Sequence, residues 1–92
     1  MKYTDEEMAQ IEQAFAGFDP KPEIIYEDDN DANGEAYARI EPDSEEGFSI
    51  CKNANGTFNL LESGVVNYDP FEYPSLETAL AVAVTFYRET FA

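Results

Sequence analysis

Between Glu35 and Glu41 the side chains alternate strictly, with Ala36, Ala38 and Ile40 set against Glu35, Tyr37, Arg39 and Glu41. A period of two fits a strand with one buried face and does not fit a helix. Towards both ends of the chain the apolar period lengthens to three and four, so helices are expected to flank a sheet. With 92 residues there is enough chain for one core and one domain, spanning 1–92.

The other strands follow the same logic. Ile24-Ile25-Tyr26 is β-branched and aromatic, and it leads into the acidic turn Glu27-Asp28-Asp29-Asn30-Asp31 and the turn signal Asn33-Gly34. Pro42 to Gly47 forms a second acidic turn. Phe48 and Ile50 alternate with Ser49 and Cys51, and Asn55-Gly56 marks a hairpin into Phe58 and Leu60. Val65-Val66-Asn67-Tyr68 is read as a further short strand. The expectation is an α+β fold: an N-terminal helix, an antiparallel sheet of three to five strands over about 23–68, and a C-terminal helix packed on the sheet.

Both helices carry start signals. Thr4 and Glu7 fit a capping box, Tyr3 and Met8 a hydrophobic staple, and Asp5, Glu6 and Glu7 place anions at the positive end of the helix dipole. Met8, Ile11, Phe15 and Phe18 give one apolar stripe, with Gly17 suited to a left-handed C-terminal cap and Pro20 barring continuation. The last helix is expected from Ser75, as N-cap, to about Thr90, with Leu76, Ala79, Leu80, Ala83, Phe86, Tyr87 and Phe91 as its main stripe. Ala81, Val82 and Val84 make it apolar almost all round, which predicts a helix lying between the sheet and the first helix, or at a dimer seam.

Composition narrows the function. Twenty Asp+Glu against five Lys+Arg give a net charge of −15, too few cations for a surface that grips phosphates or an anionic membrane. Without histidine there is no Ser-His-Asp or Cys-His catalysis and no His-ligated zinc. A single cysteine, Cys51, allows neither an internal disulfide nor a cysteine metal cluster. The acidic N-terminus lacks the apolar stretch of a secretory signal, and no apolar run reaches the length of a membrane span, so a soluble intracellular protein is expected.

Three local motifs each have a plainer reading. Asp29-Asn30-Asp31-Ala32-Asn33-Gly34 matches the first half of an EF-hand calcium loop, but Ile40 stands where the bidentate Glu belongs and Glu41 falls one residue late. Strand-like flanks favour an ordinary polar hairpin turn there. Cys51 has only Lys52 nearby to activate it and reads as a small strand residue. Carboxylate pairs such as Asp28/Asp29 and Glu45/Glu46 lie in charged turns, not in an apolar pocket that would split their pKa values. No catalytic residues, metal site or cofactor are therefore expected, and the chain is read as a non-enzyme.

What remains is the distribution of charge. Residues 1–46 hold 15 acids and 3 bases, while residues 47–92 hold 5 acids and 2 bases. Within 23–46 lie Glu23, Glu27, Asp28, Asp29, Asp31, Glu35, Glu41, Asp43, Glu45 and Glu46, against Arg39 alone. Such crowding opposes folding by self-repulsion, which points to a use for the field itself. Same-face residues on a strand recur about every 6.7 Å and strands lie ~4.8 Å apart. Carboxylates held at those spacings would be steered into a basic cleft that holds nucleic acid.

In size, charge and helix–sheet–helix plan, and especially over Glu23 to Glu46, the chain resembles the small acidic DNA-mimic proteins of phages and mobile elements, among them acidic anti-CRISPR proteins and the uracil-DNA glycosylase inhibitor. The resemblance implies an inhibitor in the bacterial cytoplasm that blocks the DNA site of a basic protein, with a Cas effector, and a type I surveillance complex in particular, as its target. The ten acids named above would be its partner-binding residues. The charge balance also excludes direct contact with nucleic acid or membrane, and a monomer is favoured with a dimer as the alternative. An acidic antitoxin or immunity-type inhibitor of a nuclease or toxin, and a calcium-responsive structural module, are the alternative readings.

Overall fold

A computed structural model of the chain describes residues 2–28, 35–42, 47–62 and 72–91, with Asp28 and Glu62 described in their backbone alone. The elements run α1 (Asp5–Phe15), β1 (Glu23–Asp28), β2 (Ala36–Glu41), β3 (Phe48–Lys52), β4 (Phe58–Glu62) and α2 (Leu76–Thr90). The four strands form one antiparallel sheet in the order β1-β2-β3-β4. This is the expected α+β arrangement, and its strands are consecutive hairpin neighbours, the simplest way to pair short strands. Val65–Tyr68, expected as a strand, and Asp29–Gly34, expected as a turn, lie outside the described residues.

Local chemistry sets the element ends. Thr4 Oγ1 accepts from Glu7 N at 3.1 Å while Glu7 Oε1 accepts from Thr4 N at 2.8 Å, a complete capping box. Ser75 Oγ caps α2 by accepting from Thr78 N at 3.2 Å. At the other end of α1 the expectation of a left-handed Gly17 is not met: the C-cap is Ala16 in right-handed conformation, its N–H donating to Gln13 O, and Phe18 N donates to Phe15 O. Tight bonds of this kind satisfy the last carbonyls without a reversed φ. Positive φ is needed at Gly56, at +89°, in the β3–β4 turn. There Gly56 N donates to Asn53 O and Asn53 N to Thr57 O, a three-residue hairpin loop.

Strand alternation divides the sheet into two faces. Ala36, Ala38, Ile40, Phe48, Ile50, Phe58 and Leu60 point to the inner face and are buried, joining Ile11 and Phe15 of α1 and Leu76, Ala79, Leu80, Ala83 and Tyr87 of α2 in one core. Phe86 packs edge-on against Phe48, with ring centroids 5.1 Å apart. Tyr3, ahead of α1, is driven into this core, where its hydroxyl donates to Ile50 O at 2.7 Å.

The placement of α2 corrects one expectation. It does not lie between the sheet and α1, because α1 reaches the sheet itself: Tyr26 Oη on β1 donates to Glu12 Oε2 at 2.7 Å, and Lys52 Nζ on β3 sits 2.6 Å from Glu7 Oε1. The two helices lie side by side on one face. Ala81 and Val82, read as part of a buried surround, are accordingly exposed, Val82 at 37%. Among the described residues, no helix is long and apolar enough to cross a membrane.

Candidate functional site

The odd-numbered residues of β1 and β2 form the face turned away from both helices. Register places Glu23 opposite Glu41, Ile25 opposite Arg39 and Glu27 opposite Tyr37, and continues across β3 with Arg39 opposite Ser49 and Tyr37 opposite Cys51. Directly paired residues on antiparallel strands share a face, so Glu23, Glu27 and Glu41 lie together on the outer side. Glu23 and Glu41 have Cα atoms about 5.5 Å apart, and Glu27 lies about 13 Å further along β1.

Glu35 joins this face from the residue before β2. Its Oε2 accepts from Tyr37 Oη at 2.7 Å and lies 3.8 Å from Cys51 Sγ, both outer-face groups. Arg39, at the centre, is bonded through Nε to Glu41 Oε1. That pair is partly covered, with side-chain exposures of 32% for Arg39 and 16% for Glu41. Glu23 and Glu27 are exposed and have no ion-pair partner among the described residues. The outer face thus carries four described carboxylates and one guanidinium, which itself draws one carboxylate inwards.

Of the ten acids singled out in the sequence, the structure brings Glu23, Glu27, Glu35 and Glu41 onto one face. Asp28 ends β1 opposite Ala36, in its backbone alone. Asp29, Asp31, Asp43, Glu45 and Glu46 lie outside the described residues. Sequence reasoning missed the roles of Tyr37 and Arg39, which orient Glu35 and Glu41. Their i, i+2 spacing from those acids was the available signal, since such pairs share a strand face.

Carboxylates elsewhere behave differently. Glu7 is partly buried, which raises its pKa, but hydrogen bonds from Lys52 and Thr4 outweigh this and hold it below the usual carboxylate range. Glu12 is balanced in the same way, burial being overcome by Lys21 at 2.8 Å and the Tyr26 hydroxyl. The partner tyrosines shift upwards, Tyr3 through burial and nearby negative groups and Tyr26 through burial and Glu12. Asp5 and Glu6 on α1 and Glu77 and Glu89 on α2 are exposed.

Cys51 is 2% exposed, and its Sγ lies 3.3 Å from Asn53 Oδ1, the environment of a packed strand residue. Among the described residues, no group of three or more acidic or cysteine side chains is placed to hold a metal ion. The elements flanking Asp29–Gly34 are the antiparallel strands β1 and β2, where an EF-hand would need two helices. What the outer face offers is a set of carboxylates whose backbone positions strand pairing sets. Comparison with protein-family models, with curated proteins and with solved structures gives no match.

Proposed function

We propose that the chain is an inhibitor whose outer sheet face stands in for a nucleic-acid backbone and fills the basic nucleic-acid-binding cleft of a target protein, in particular as an anti-CRISPR protein acting on a type I surveillance complex. The observation that supports this reading is the exposure of Glu23 and Glu27 on one sheet face, with Glu41 directly across from Glu23. Holding carboxylates on paired strands avoids the ordering cost of an acidic tail, and it favours bidentate contacts from arginine. With −15 net charge, association with a cationic groove is steered at long range.

The test is competition. A purified type I surveillance complex is mixed with fluorescent target duplex, and anisotropy is followed as the chain is added. Displacement of the duplex is the expected result, and the chain's own affinity for the complex, measured without DNA, should weaken steeply as salt rises from about 50 to 300 mM. An undisturbed DNA complex at micromolar chain would overturn the proposed target. Direct binding of the chain that does not weaken with salt would overturn mimicry as its mechanism.

A further inference from the structure

The two edges of the sheet are unlike. Along β4, Phe58 N donates to Tyr73 O at 2.9 Å and Tyr73 N to Phe58 O at 2.7 Å, so that edge is engaged at its first residue. These bonds also fix the direction of every strand amide. Because Phe58 bonds outwards, its pair with Lys52 is of the non-hydrogen-bonded kind, and alternation makes Cys51–Asn59 and Ser49–Leu61 the bonded pairs. It follows that Phe48, Ile50 and Lys52 bond to β2, and that Tyr37, Arg39 and Glu41 bond to Glu27, Ile25 and Glu23 of β1. The backbone N–H and C=O groups of Ile24 and Tyr26 therefore point out of the sheet. Among the described residues, none bonds to them.

We infer that the β1 edge is a docking site for an extended, basic segment of a partner protein, which adds to the sheet as an antiparallel fifth strand. The occupant's sign follows from the side chains. An added antiparallel strand meets Glu23 and Glu27 in non-hydrogen-bonded pairs, where side chains approach most closely, at Cα separations of about 4.5 Å. A second copy of β1 would set acid against acid there, which is destabilising, whereas Lys or Arg at alternate positions would pair with both glutamates. The alternating residues between them would lie over Ile24 and Tyr26, which are half-buried and pack against the core. Backbone bonds then supply affinity and charge supplies selectivity. The inference rests on the proposed function only in taking the partner to be basic.

The probe is a blocked heptapeptide of alternating Lys and Val, added to the full chain and read by amide hydrogen exchange. At saturation, the Ile24 and Tyr26 amides should exchange at least about tenfold more slowly, while the Ile25 amide, already bonded to β2, should not change. The same peptide N-methylated at its valine nitrogens should give no protection, and neither should an alternating Glu–Val peptide. The Glu23→Lys/Glu27→Lys variant should reverse the preference and accept the Glu–Val peptide. Saturation without protection of Ile24 and Tyr26, or equal binding of the N-methylated peptide, would overturn strand addition. Protection that rises with chain concentration in the absence of peptide would instead assign the edge to a second copy. Because no surveillance complex is present, failure here is distinguishable from failure of the proposed target.

Discussion

On the helix-covered side of the sheet Glu7 and Glu12 each hold a lysine and fasten α1 to β3 and β1, whereas on the outer side Glu23 and Glu27 stand exposed without an ion-pair partner among the described residues. The residue type is the same and the physical role is opposite. Where a carboxylate is partly buried, hydrogen bonds and a cation must offset its desolvation, and it becomes part of the fold. Where it is solvated and unpaired, it contributes little to stability and leaves its field available to a partner. The described ion pairs divide the carboxylates between the faces: Lys21 and Lys52 serve the helix side, and Arg39 serves Glu41.

The largest expected contrast between the faces is in packing. Ile40 is fully buried on the inner face, so Ile40→Ala should cost about 2–5 kcal/mol in urea unfolding. Ile25 is half-buried on the outer face, and Ile25→Ala should cost under about 1 kcal/mol. Equal losses would mean that the outer face is packed as a core. Next in size is the β2–β3 connection, where a Cβ on Gly47 would lie 2.6 Å from Ile40 O. Gly47→Ala should cost about 1–3 kcal/mol by the same measurement, since a backbone atom must move.

Smaller effects should separate the carboxylates themselves. Glu7→Gln should lower stability by about 1 kcal/mol, an amount salt reduces. Because Glu7 and Glu12 titrate below their ordinary range in the folded chain, their contribution is present above the usual Glu value of about 4.3 and is lost as pH falls through the lowered folded values. Tyr3 and Tyr26 give the opposite limb. Their folded pKa values are raised, so stability holds below about pH 10 and declines as pH rises and the unfolded tyrosines ionise. Tyr26→Phe should flatten that alkaline decline in thermal melts. Glu23→Lys and Glu27→Lys should leave the melting temperature unchanged or slightly raised, as self-repulsion falls.

The sequence made some of this contrast legible and hid the rest for identifiable reasons. Thr4, Glu7 and Ser75 act within one helical turn, and period-two alternation over 35–41 assigns each residue a face, so caps, strands and the side taken by Glu35 and Glu41 could be read directly. The pairing of Glu23 with Glu41 depends on register, which turns decide and which a single strand does not encode. The position of α2 was misread because an apolar stripe records how much surface is hydrophobic, not what covers it. Gly17 was misread because a helix can also close through 3₁₀-like bonds, which leave no glycine requirement. The attachment of Glu7 to Lys52 spans 45 positions and follows only from the assembled fold.

The central claim is that position on the outer face, rather than total negative charge, makes the chain a ligand for a basic cleft. Two double variants change net charge equally: Glu23→Lys/Glu27→Lys on the sheet and Glu77→Lys/Glu89→Lys on α2. Their inhibition constants against the surveillance complex, measured at one ionic strength, compare the two places directly. The account predicts a loss of at least about tenfold for the sheet variant and under about twofold for the helix variant. Equal losses would contradict it.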